Sequence, residues 1–331
     1  HYITRDKKEY WAMFYSAAGG GVLIALMALF KTYLGSIIDD KVWKGIAEGL
    51  NYGLGFMVIF MLHFTVATKQ PAMTAARFAE AVEKTPQGKT VNMKLAQLLV
   101  DVFRSQSIAV LGNVLIAMGL AALIAFGYQY KTGEPLMNAD QIAYQLHSID
   151  PFAGTLWFAA IAGVWLFCSG IISGYFDNRS NYLNMRMRLA QHPLLKKLMS
   201  EKTRVKFANY MHENYGSLIG NLCFGMLLGI TGVVGYLTHL PLDIRHVAFS
   251  SANVGYIAVS GQFTYSLLLQ CISFVLLIGL VNLIVSFSLT LWVALRSLNA
   301  EIDSWWPIWH EVCQIVKKRP LSLFLPVQLD K

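Results

Sequence analysis

Charge is scarce in this 331-residue chain. Asp, Glu, Lys and Arg together make up 14% of it and hydrophobic residues 55%, whereas about 25% of a soluble domain is charged. So little charge cannot cover a fully water-facing surface, so much of the surface is expected to face lipid. Proline is sparse too, at nine residues against 26 glycines, as suits close-packed membrane helices. The four cysteines, Cys168, Cys223, Cys271 and Cys313, form no CxxC pair, and the first three lie in apolar runs. Neither a zinc site nor a disulfide frame is legible, and buried, inert thiols are expected. Signatures of soluble enzymes are missing: there is no GxGxxG after a strand, no GxxxxGK[ST], no HExxH and no GxSxG. The histidines are scattered. No metal and no cofactor are therefore expected. The chain begins at His1 without a signal peptide, which reads as a piece of a longer protein.

What is abundant is apolar length. A membrane helix needs about 20 mostly apolar residues, and five stretches meet this: Trp11–Ile38, Gly49–Thr68, Ser105–Tyr128, Phe152–Tyr175 and Gly216–Leu240. A sixth region is longer, because no charged residue lies between His246 and Arg296. As one helix it would reach roughly 70 Å at 1.5 Å per residue, more than twice the ~30 Å hydrocarbon core. A break is expected at Ser260-Gly261-Gln262. It leaves Phe263–Leu295 as a full span and Val247–Val259 as a re-entrant or interfacial segment, with a seventh span as the alternative.

Lys and Arg collect in cytoplasmic loops, and their distribution favours six spans. Three precede the first span, six lie from Lys69 to Arg104, eight from Asp177 to Tyr215, and five from Arg296 onward. The alternate loops hold two, one and one. Both chain ends are then cytoplasmic. The net charge of +8 is mostly this topology signal; anionic lipid is its default partner, and nucleic acid is possible without being required. The expected fold is all-α: a polytopic membrane bundle of about six transmembrane helices, a re-entrant or interfacial segment and amphipathic cytoplasmic helices. Residues 1–298 would form the membrane domain, with helical cytoplasmic loops at 69–104 and 176–215. Residues 299–331 would form an interfacial tail, with Trp305, Trp306, Trp309, Val312, Cys313 and Val316 largely along one side.

Four GxxxG pairs, Gly49/Gly53, Gly170/Gly174, Gly216/Gly220 and Gly225/Gly229, together with Gly19-Gly20-Gly21, predict close helix packing. Polar groups within the membrane are functional candidates by default: Lys31, Asn51, His63, Asn113, Asn221 and Asn282. Lys31 can also snorkel outward, His63 can bond a neighbouring helix, and the asparagines can tie helices together. Two stretches are denser. Lys69, Gln70 and Pro71 sit where the second span meets the cytoplasm, with Pro71 suited to a first helical position. Asp243, Arg245, His246, Ser250, Ser251 and Asn253 form the Asp-Arg-His cluster of the outer side, just ahead of the suspected re-entrant segment. Broken helices expose free backbone groups to a cavity, so this cluster is the first candidate site.

These stretches also resemble a known family. Ser16–Gly21, Gly49–Tyr52, Ala67–Ala75, Asp177-Asn178, Ala190–His192, Gly220-Asn221, Pro241–His246, Val285–Leu289 and Arg319–Leu321 together resemble a bacterial membrane family named as site-specific recombinases, the Gcr-like family. The resemblance runs along nearly the whole chain and implies a bacterial inner-membrane protein, an upstream region, and DNA strand exchange. The residues point elsewhere. Strand exchange needs a serine or tyrosine nucleophile beside several arginines within reach of DNA, and the Arg245-His246 pair falls on the outer side. The expected function is therefore a transporter-, channel- or lipid-handling-type membrane protein. The alternatives are a membrane scaffold that recruits proteins through its cytoplasmic helices and a DNA-associated recombination factor.

Overall fold

A computed structural model describes residues 6–66, 75, 78–82, 89–260, 263–299, 302 and 304–326. Among these residues the chain is all-α, without a strand. Five helices are long and apolar enough to cross a membrane: α1 (Lys7–Ile37), α3 (Lys89–Thr132), α5 (Thr155–Tyr182), α8 (Glu201–Thr238) and α10 (Tyr265–Ser297). The chain is thus built as a multi-pass membrane protein. Between them lie α2 (Lys41–Met61), α4 (Ala139–Ile149), α6 (Met185–Gln191), α7 (Pro193–Leu198) and α9 (Val247–Ala258), with α11 (Trp306–Lys318) after α10.

The long helices absorb what the sequence divides into spans and loops. The amphipathic stretch from Met93 and the span from Ser105 are one 44-residue helix, α3. The basic stretch before the fifth span likewise continues into it as α8, with 38 residues. Nothing between these segments breaks a helix: neither contains an internal proline.

The second span is displaced from the expected Gly49–Thr68. Asp40 caps α2 by accepting from Val42 and Trp43 N–H at 3.0 and 2.9 Å, so the helix starts at Lys41. At the other end His63 adopts a left-handed conformation (φ 59°), and Phe64 N–H reaches back to the Ile59 carbonyl at 2.9 Å. That is a Schellman-type stop with histidine where glycine is usual. It ends α2 at Met61, short of His63. Lys41, Lys44 and Glu48 lie in its first half, and α2 is not among the five strongly apolar helices.

Two of the glycine pairs meet each other. Gly49 and Gly53 of α2 face Gly225 and Gly229 of α8 so closely that a Cβ at Gly225 would strike the Gly53 backbone, and one at Gly229 the Gly49 backbone. Gly216 and Gly220 pack on Ser173 and Asp177 of α5, where Asp177 accepts from Gly216 N–H at 3.0 Å. Gly174 of the Gly170/Gly174 pair meets nothing within 4 Å. In the Gly19–Gly21 run, Gly21 packs against the α3 backbone at Asn113 and Ala117, and Gly20 serves a second contact. After the α2 stop, Thr65 N–H donates to the Ser16 carbonyl (3.1 Å), and the Thr65 carbonyl crosses directly over Gly20. Asn113 of α3 donates to both Ala17 O and Thr65 O and so closes the joint.

The charge-free region breaks as expected. Helix α9 ends at Ala258, and Thr264 caps α10 by accepting from Leu267 N–H at 3.2 Å. Residues 261–262 lie outside the described set. With 12 residues α9 is about 18 Å long, too short for a seventh crossing. Ten of its residues are buried, enclosed by α1, α3, α4 and α10, so it does not lie flat on a surface.

The tail helix α11 packs one face, Ile308, Val312 and Ile315, against Phe78, Leu95 and Leu291, with Trp305 stacked on Phe78 at 6.0 Å and 9°. Trp306, Trp309 and Cys313 are exposed on the other face. The expected single apolar side is therefore split in two, because Val312 turns inward with Ile308 while Cys313 turns outward.

Candidate functional site

A buried, broken helix must have its first N–H groups satisfied by something other than water. Asn282, in the middle of α10 and fully buried, does this for α9. Its Oδ1 accepts from Val247 N–H at 3.1 Å, and its Nδ2 donates to the Arg245 carbonyl (3.0 Å) and the Ala159 carbonyl (2.7 Å). One side chain thereby ties α5, α10 and the entry to α9. At the opposite end, Tyr256 Oη donates to the Ala25 carbonyl of α1 at 2.8 Å.

The polypeptide entering α9 forms the floor of a cavity of about 600 Å³. It lies at the end of the bundle where α1 stops, α2 begins and α8 ends. Ligand sites commonly measure about 300–1,000 Å³. The His246, Phe249, Ser250 and Asn253 face of α9 lines it, at helical spacing i, i+3, i+4 and i+7. Four basic residues, Lys31, Lys41, Lys44 and Arg245, and three acidic ones, Glu48, Asp140 and Asp243, complete the polar wall.

Most of these charges are already matched. Arg245 meets Asp243 at 2.6 Å, and also donates through Nε to Ser148 O (2.8 Å) and through Nη1 to Ile244 O (2.7 Å). Its guanidinium covers the Phe158 ring at 5.4 Å. With so many donors committed, Arg245 braces the α8–α9 connection. Lys31 turns into the wall, 3.6 Å from Glu48 and over the Tyr52 ring at 5.7 Å. Lys41 lies over the Tyr236 ring at 4.2 Å. Among the described residues neither Lys41 nor Lys44 has a carboxylate within ion-pair distance. His246 is 1% exposed, its ring set edge-on among Phe56, Phe224 and Phe249.

Of the outer cluster, then, Asp243, Arg245, His246, Ser250 and Asn253 converge on the cavity, and Lys31 joins them from α1. Ser251 does not: it is fully buried and its hydroxyl donates to the Ala248 carbonyl at 2.7 Å. The asparagines are dispersed. Asn51 ties α2 to Met27 O of α1 (2.9 Å), Asn113 joins α3 to α1, and Asn221 donates to Ser217 O in its own helix (2.8 Å). His63 is exposed and contributes its carbonyl, not its ring, to Ser16 at 3.1 Å. Lys69, Gln70 and Pro71 lie outside the described residues. No cluster of three metal-ligating side chains occurs among the described residues.

Sequence reasoning missed Glu48, Lys41 and Lys44 as cavity residues, though their charges inside an otherwise apolar helix were a visible signal. It also missed Ser180. At the opposite end of the bundle Ser180 Oγ lies 3.1 Å from His212 Nδ1 and 3.2 Å from His212 O, near the basic α6 and α7. With Ser180 fully buried, the contact ties α5 to α8 and does not present a nucleophile to solvent.

A family profile described as site-specific recombinase matches residues 1–326. The chain belongs to that family. No curated protein and no solved structure matches it. The polar cavity lies among helices that include α1 and α8, both long and apolar enough to cross a membrane.

Proposed function

We propose that the protein is a bacterial inner-membrane protein of transporter or lipid-handling type, with six crossing helices and both chain ends in the cytoplasm. Its binding cavity would open to the outer side. The charge bias supports this orientation, since the basic α6 and α7 lie at the end of the bundle away from the cavity. The observation that carries the reading is the polar cavity floored by α9. Broken helices at membrane depth are tolerated where they are buried in protein or line a cavity, and membrane transport sites are repeatedly built beside them.

The test is thiol accessibility in intact cells, in a background lacking the four native cysteines. Asn253→Cys is expected to react with a membrane-impermeant reagent added outside, while Ser251→Cys stays protected. Labelling of Asn253→Cys only in inside-out vesicles would reverse the orientation. Protection from both sides would remove the cavity as a site.

Family membership favours a second reading, DNA strand exchange at the basic end, where Arg186, Arg188, Lys196, Lys197 and Arg204 offer phosphate contacts. It is tested with the purified protein by DNA binding that falls steeply with salt, followed by a strand-exchange assay. Binding without exchange leaves electrostatic adhesion alone.

A further inference from the structure

The polar cavity has a neighbour. A second space of about 620 Å³ adjoins it, lined by Leu26, Leu29, Phe30, Leu136 and the rings of Tyr33 and Tyr128. Thr32 and Gln141 belong to both walls, so the two spaces lie side by side with these two residues between them. Their chemistry differs sharply: charged groups crowd the first, and aliphatic and aromatic groups the second. The setting explains where the second space opens. Helices α1 and α3 touch nearly backbone to backbone at Gly21 and Ala117, and the groove lies beyond that contact, toward their ends. Leu26, Phe30, Tyr33 and Tyr128 remain about half exposed there, on helices apolar enough to cross a membrane. The groove therefore faces acyl chains sideways.

We infer that the ligand of the cavity is an anionic lipid, with its headgroup in the polar cavity and an acyl chain along the α1–α3 groove. This rests on the cavity reading above and adds the class of ligand. A small hydrophilic solute would leave the apolar half unused, whereas an amphiphile matches both halves and the boundary between them. The charge argument fixes the sign. The Lys31–Glu48 and Arg245–Asp243 pairs cancel internally. What remains on the wall is Lys41 and Lys44 against Asp140, a surplus of positive charge. Facing a cavity walled by protein, that surplus attracts a phosphate or carboxylate more strongly than it would in bulk water.

The experiment uses the full chain in lipid nanodiscs and two photo-crosslinking phospholipids that carry the same diazirine in the acyl chain. One has a phosphatidate headgroup, the other phosphocholine. The phosphatidate probe is expected to label Leu26, Leu29 or Leu136 at least several-fold more than the choline probe. Lys41→Glu with Lys44→Glu should bring the two probes to equal labelling. Leu136→Trp, in the connection between α3 and α4, should reduce groove labelling by either probe; Leu29→Trp is the second plug if the first variant elutes as an aggregate. Equal labelling of the wild type by both probes would mean ordinary boundary lipid and overturn the inference. Tight binding of water-soluble glycerol phosphate that neither plug weakens would overturn the lipid assignment while leaving the cavity reading intact. If Asn253→Cys is also inaccessible from outside, both fail together.

Discussion

Asn282→Ala is the sharpest test of how α9 is held. In the native chain this side chain satisfies Val247 N–H and the carbonyls of Arg245 and Ala159, all at a fully buried position. Ala159 O lies within α5 and keeps its helical partner. Val247 N–H, as the first donor of α9, loses its partner, and the Arg245 carbonyl loses a donor. A buried polar group left unpaired costs about 1–3 kcal/mol, so the two together predict a loss of about 2–6 kcal/mol. Asn51→Ala is the built-in control, since Asn51 makes a single bond to Met27 O and side-chain bonds between membrane helices average about 0.6 kcal/mol. Thermal unfolding of the two variants in detergent would be followed by loss of monodisperse protein. At about 2–4 °C per kcal/mol, Asn282→Ala should melt at least about 4 °C below wild type, and Asn51→Ala within about 2 °C of it. Because α9 floors the cavity, Asn282→Ala should also alter labelling of Asn253→Cys from outside. If the two asparagine variants melt together, or if Asn282→Ala leaves cavity labelling unchanged, the clamp reasoning is refuted.

Gly225→Val and Gly229→Val push a side chain into the α2 backbone and should cost at least the about 1–3 kcal/mol of overpacking, read as lost expression or aggregation on size exclusion; Gly174→Ala, with open space around it, should be silent. Arg245→Ala should destabilise more than Asp243→Ala in the same melting assay, because Arg245 also serves the Ser148 and Ile244 carbonyls and hydrogen bonds to charged groups contribute about 1.5–3 kcal/mol each. Ile308→Ala should free the tail, since truncating a buried isoleucine costs about 2–5 kcal/mol; limited proteolysis after α10 should accelerate, whereas Trp306→Ala, at an exposed position, should leave it unchanged.

The sequence alone determined the membrane character, the approximate positions of the crossing helices and the break in the charge-free region. These are one-dimensional properties. Twenty apolar residues suffice for a span, and a charge-free run too long for the hydrocarbon core must break. The bounds of α2 escaped because both of its ends are set by local bonds: the Asp40 cap and the left-handed turn at His63 stop the helix without regard to hydropathy. The tail face escaped because its partners, Phe78, Leu95 and Leu291, come from distant parts of the chain.

For the candidate site the division is similar. The Asp243–Asn253 stretch was legible as polar residues beside a broken helix. Only the tertiary structure decided that Ser251 turns away and that Lys31, Glu48, Lys41 and Lys44 face the same space. It also decided that Asn282 serves α9 while Asn51 and Asn113 serve other joints and Asn221 bonds to Ser217 O within its own helix. A sequence counts an asparagine in an apolar run as polar wherever it stands. Which backbone groups it satisfies depends on the helix laid against it, and that is fixed here by the packing of small residues, such as Gly279 against Val247 and Gly163 against Val285.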